Sequence, residues 1–113
     1  MAQIANENYS LGYGCRFSIR RIYDCVILVT FSSVGECSDN IKGTLMAKAI
    51  GAIMIAEKLF DAKPPKNFKI DFMNMQGQNG NVDCVVIAFA LSFEKMDDVA
   101  DYIVELKVAQ IIS

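Results

Sequence analysis

Arg16, Ser18 and Arg20 alternate with Cys15, Phe17 and Ile19 in one short run, and Arg21 follows at once. In an extended chain alternate residues leave the backbone on the same side, so two guanidinium groups and a hydroxyl share one face. Tyr9, Tyr13 and Tyr23 are interleaved with them. Arginine forks suit phosphate oxygens and tyrosine rings stack on planar groups. Arg16, Ser18, Arg20, Arg21, Tyr13 and Tyr23 are therefore the candidate ligand-binding residues, and the ligand they suit is small, anionic and nucleotide-like. The same row has a plainer use, because arginines on an exposed strand discourage pairing by another chain.

Other sites are weaker. Gly35-Glu36-Cys37-Ser38 leads into a helix, where backbone amides, the Ser38 hydroxyl and the Cys37 thiol could meet an anion, but Glu36 and Asp39 would repel it. Asp97, Asp98 and Asp101, with Glu94 and Glu105 nearby, have the spacing of a solvated acidic helix face. The chain has no histidine, which removes the commonest general base and zinc ligand. Cys15, Cys25, Cys37 and Cys84 form no C-x-x-C pair and read as small buried hydrophobes. No phosphate-cradling, nucleophile-elbow or zinc-protease motif occurs. The expectation is a chain that is not an enzyme and has no catalytic residue, cofactor or metal.

Charge and length narrow the partners. With 113 residues, 53% of them hydrophobic, and two prolines, residues 1–113 read as a single domain that buries one core. A formal net charge of −2 gives no general field for polyanions, so double-stranded DNA is not expected. Six of the 13 acidic residues lie from Asp83 onward beside two lysines, while the basic excess lies earlier. That asymmetry allows complementarity between copies or recognition of a basic protein partner. Met1 to Asn8 lacks the pattern of a secretory signal, and the apolar run Ala49 to Ala56 is far short of the roughly 18 residues that span a bilayer. A cytoplasmic protein without membrane contact is expected.

The elements that must position these groups follow from periodicity. Cys15 to Arg20 alternates as a half-buried strand, and Cys25 to Ser32 is apolar on both faces for most of its length. Joining them through Arg21-Ile22-Tyr23 sets Arg20 against Asp24 and Phe17 against Ile27. Asn79-Gly80 predicts a tight hairpin that sets Phe72 against Ile87, Ile70 against Phe89 and Phe68 against Leu91. A helix is predicted from about Asp39 to Ala62, capped by Ser38 or Asp39 and stopped by Pro64-Pro65. Its apolar arc is Ile41, Leu45, Ala49, Ala52, Ile53, Ala56, Leu59 and Phe60. A second helix is predicted after Ser92, burying Phe93, Met96, Val99, Ala100, Ile103 and Leu106. Asp24-Cys25-Val26-Ile27-Leu28 also echoes Asp83-Cys84-Val85-Val86-Ile87, a trace of internal similarity.

This order predicts an α+β two-layer sandwich, ββαββα, with a four-stranded antiparallel sheet and both helices on one face. Two helices shield one side of such a sheet. The other side, with Met73, Met75, Val86 and Ala88, and the smooth helix stripe Gly43, Ala47, Gly51 and Met54, then need a cover, and they are the expected oligomer interface. The functional expectation is a non-catalytic binding or interaction module acting as a homo-oligomer. The alternative is a sensor or sequestering protein for a small phosphorylated ligand, of the kind a phage or mobile-element inhibitor would be.

Overall fold

Alternating apolar residues put one side of the strands Cys15–Tyr23, Val26–Val34 and Gly80–Ser92 into a common core. A computed structural model of the protein describes residues 7–12, 14–35, 38–63, 69–77 and 80–112. The elements are β1 (Glu7–Gly12), β2 (Cys15–Tyr23), β3 (Val26–Val34), α1 (Asp39–Phe60), β4 (Lys69–Gly77), β5 (Gly80–Ser92) and α2 (Asp97–Val108). The expected α+β order of two hairpins and two helices is present, and one further strand, β1, pairs with β2. The antiparallel sheet runs β1-β2-β3-β5-β4, which leaves β2 paired on both sides and removes any edge-guarding role for its arginines.

The strand residues in the core are odd-numbered: Cys15, Phe17, Ile19, Ile27, Val29, Phe31, Val85, Ile87, Phe89 and Leu91. Against them pack Leu45, Ala49, Ala52 and Ala56 of α1, and Val99, Tyr102, Ile103 and Leu106 of α2. The alanines bring α1 close to the sheet. Phe17, Phe31 and Phe89 form an aromatic chain across β2, β3 and β5, with centroids 4.9 and 6.4 Å apart.

Both predicted registers are displaced by an even number of residues. Phe17 pairs with Phe31 rather than Ile27, because β2 and β3 continue to a tight turn at Asp24-Cys25, where Asp24 takes a φ of 42°. Arg20 consequently faces Leu28 and not Asp24, and a bulge between Arg21 and Tyr23 adapts the strand to the turn. In the second hairpin Gly77 pairs with Gly80, so Phe72 faces Val85 and Ile70 faces Ile87. Even slips leave each strand's sides unchanged, so the cost of the displacement falls on pairing and not on burial. Phe68 and Pro64-Pro65 lie outside the described residues, as does the turn residue Asn79.

Ser38 caps α1, its hydroxyl accepting from the Ile41 amide at 3.3 Å. The helix ends where Asp61 turns left-handed with a φ of 50°, and the Ala62 amide reaches back to the Ala56 carbonyl at 3.1 Å. α2 starts later than predicted, at Asp97, and Ser92 does not cap it. Ser92 closes β5 and exchanges hydrogen bonds with Lys63, while the Phe93 amide donates to the Cys25 carbonyl at 2.9 Å. Leu59, assigned to the core arc, is 59% exposed. Tyr102 belongs to the core although its type hid it: it is fully buried and donates to the Ala52 carbonyl at 2.8 Å.

The echo between residues 24–28 and 83–87 is not a structural repeat, because it sets buried Ile27 on half-buried Val86, which lies on the other face. Setting buried Phe31 on buried Phe89 instead also sets the first residue of α1, Asp39, on the first residue of α2, Asp97.

Candidate functional site

With both helices on the odd-numbered face, the even-numbered residues of β2 and β3 and, on β5, Val86, Ala88 and Ala90 form the open face of the sheet, while Cys84, on the same side of β5, is buried. Arg16 and Arg20 are exposed there and Ser18 is half-buried between them. Beside them β3 places Val26, Leu28, Thr30 and Ser32, and β5 places Val86, Ala88 and Ala90, all half-buried. No helix among the described residues covers this side, so β3 is buried on one face and not on both. The open face is polar toward β1 and β2, mixed over β3, where Val26 and Leu28 are followed by Thr30 and Ser32, and apolar at Val86, Ala88 and Ala90 of β5.

Of the predicted ligand residues, Arg16, Ser18 and Arg20 share this face. Arg21 is exposed and its Nε donates to the Asp24 carbonyl at 2.9 Å, so it braces the turn. Tyr23 is 63% exposed at the same turn, and Tyr13 lies outside the described residues. Arg16 also lines a cleft of about 510 Å³ with Asn8, Tyr9, Ser10, Gly14 and Cys15. Arg20 stands four residues away, about 13 Å along an extended strand, and is not part of that cleft.

The predicted oligomer residues divide between two sides of the molecule. Val86 and Ala88 are on the open sheet face; Met73 and Met75 pair with Cys84 and Val82, and their side chains lie outside the described set. On α1, Gly43 and Ala47 are exposed and Met54 is 46% exposed. Gly51 is covered by the chain itself. A Cβ there would stand 2.8 Å from Cδ1 of Ile111, so the glycine admits the C-terminal segment rather than a second copy. Gln110, at a φ of 61°, turns that segment back, and Lys48 holds it by donating to the carbonyls of Gln110 at 3.4 Å and Ile111 at 3.0 Å. Beside Ile111 runs an apolar groove of about 420 Å³ lined by Met54, Ile55 and Leu59.

Chemistry for covalent catalysis is sparse. Ser38 is engaged as a helix cap, and its neighbours Glu36 and Cys37 lie outside the described residues. Cys15 and Cys84 are buried and form no disulfide, and the half-buried Cys25 approaches the Glu94 carbonyl with its sulfur at 3.8 Å. Among the described residues no three cysteine, aspartate or glutamate side chains gather as metal ligands. Of the acidic residues expected on a solvated face, Glu94, Asp97 and Asp101 are exposed, while Asp98 and Glu105 are half-buried. Burial raises the Tyr102 phenol far above its usual range, so it remains a neutral hydrogen-bond donor. No helix among the described residues is long and apolar enough to cross a membrane.

Asp71, which the alternation of its hairpin already puts on the side of Val86, pairs with Val86 and is exposed on the same side as Arg16. Its separation from Arg16 in sequence carries no signal, and only the full ladder of pairings connects the two. No protein-family model, curated protein or solved structure matches this chain.

Proposed function

We propose that the chain is a non-catalytic interaction module that works as a homo-oligomer. The observation that supports this reading is the open sheet face, where Val26, Leu28, Val86, Ala88 and Ala90 form a continuous, low-relief apolar strip across two adjacent central strands. Small and β-branched residues on two pleated faces allow sheets to approach to about 10 Å, the spacing of a sandwich core. The absence of histidine fits a binding role better than acid–base catalysis. That Cys15, Cys25 and Cys84 form no disulfide suits the reducing cytoplasm. Light scattering at micromolar concentration tests the reading: a mass near twice the 12.5 kDa chain, or a higher multiple, is expected, and a 12.5 kDa species at all concentrations overturns it.

A second reading, capture of a small phosphorylated ligand, draws support from the cleft at Arg16. Its hydroxyl from Ser10, amide from Asn8 and guanidinium offer donors to a phosphate. A thermal-shift screen with nucleotides and inorganic phosphate separates the two readings, since a ligand at 100 times its Kd adds about 2.7 kcal/mol of stability.

A further inference from the structure

The strand pairings place one basic and one acidic residue of the open face symmetrically about the line between β3 and β5. Arg16 pairs with Ser32, Ser32 with Val86, and Val86 with Asp71, so these four lie at one level across β2, β3, β5 and β4. Both Arg16 and Asp71 are exposed. They stand three strand spacings apart, about 14 Å, with the half-buried Ser32 and Val86 between them. From β2 to β4 the level thus reads positive, polar, apolar, negative, with the midpoint of Arg16 and Asp71 between β3 and β5, and the exposed Ser10 of β1 lies beyond Arg16.

From this we infer that a second copy of the chain covers the open face, related by a two-fold axis that runs along the strands between β3 and β5. The inference rests on the interaction-module reading and specifies its geometry. Rotation about that axis reverses the strand order and keeps the level, so Arg16 of one copy meets Asp71 of the other, twice over by symmetry. Leu28, Thr30, Ser32, Val86, Ala88 and Ala90 of the two copies then close over one another as the interior of a sandwich. A face-to-face two-fold running across the strands would instead stack β2 on β2 and bring the Arg16 and Arg20 rows together. Like charges disfavour it. Under the preferred axis the next level sets Lys69, which pairs with Ala88, opposite Ser18 of the second copy and not opposite an arginine.

The test is a charge swap in the full chain, read by sedimentation velocity over a concentration series, with circular dichroism confirming that each variant folds. Arg16→Asp and Asp71→Arg each place two like-charge pairs in the interface and are expected to raise the dimer Kd roughly tenfold or more. The combined swap restores opposite charges and is expected to return the Kd to within about threefold of the parent. Leu28→Asp, which puts a charge at the centre of the face, is expected to abolish the dimer. A parent dimer indifferent to the swaps, or one dissociated by Met54→Asp on α1 but not by Leu28→Asp, overturns this geometry while leaving the homo-oligomer reading in place. A parent that stays monomeric overturns both.

Discussion

Gly43 and Gly51 are both interior residues of α1, yet replacing each by alanine should have different consequences. Glycine in a helix costs about 1 kcal/mol relative to alanine, through backbone entropy lost on folding. At Gly43 a Cβ would meet nothing within 4 Å, so Gly43→Ala should recover most of that energy. For a chain of 113 residues the unfolding entropy is about 0.24 kcal/mol per degree, so the gain appears as a Tm rise of about 4 °C. At Gly51 the new Cβ would stand 2.8 Å from Cδ1 of Ile111. The isoleucine must turn aside, at a cost of about 0.5–1.5 kcal/mol for leaving its rotamer, and this offsets the propensity gain. Gly51→Ala in the parent should therefore move stability by less than about 0.5 kcal/mol. Ile111→Ala removes the obstructing atoms, so adding Gly51→Ala in that background should again yield about 1 kcal/mol. Urea denaturation of the four proteins in this cycle, with Gly43→Ala as control, measures each term. If Gly51→Ala stabilises the parent as much as Gly43→Ala does, the C-terminal segment does not rest on α1.

Tyr102→Phe should cost about 1 kcal/mol at neutral pH through the lost hydrogen bond to Ala52, as measured by urea midpoints. The raised phenol also fixes a pH dependence. Above about pH 10 the unfolded chain releases the Tyr102 proton while the folded chain keeps it, so stability should fall by up to about 1.4 kcal/mol per pH unit. Tyr102→Phe should flatten that decline, and an unchanged alkaline slope would place the phenol in water. Phe89→Ala should destabilise by about 3–5 kcal/mol, Ile53→Ala by less because Ile53 is half-buried, and Leu59→Ala by under about 0.5 kcal/mol. Equal losses at Phe89 and Leu59 in thermal melts would contradict the orientation of α1. If the nucleotide screen returns a ligand, Arg16→Gln should weaken it about tenfold or more by calorimetry, whereas Arg20→Gln, outside the cleft, should leave it within about threefold.

The sequence by itself determined which residues of β2, β3 and β5, and which line of α1, face inward. Period-two alternation put Phe17, Ile19, Ile27, Val29, Ile87 and Phe89 on one side of their strands, and the helical spacing of Leu45, Ala49, Ala52 and Ala56 marked the inner line of α1, because burial selects apolar side chains locally. The Ser38 cap was legible for the same reason, as a hydroxyl acts on amides only a few residues away. Registers were not legible. Any even slip keeps apolar faces together, and the choice among slips depends on turn geometry and on how side chains of several strands fit at once. Nor could Leu59, Gly51 and Tyr102 be placed from periodicity, since their surroundings are set by α2 and the C-terminal segment, distant in sequence. The same holds for the candidate interface. Arg16 and Asp71 were visible as charged residues from the start, but their shared level is a property of three successive strand pairings, and only the assembled sheet decides it.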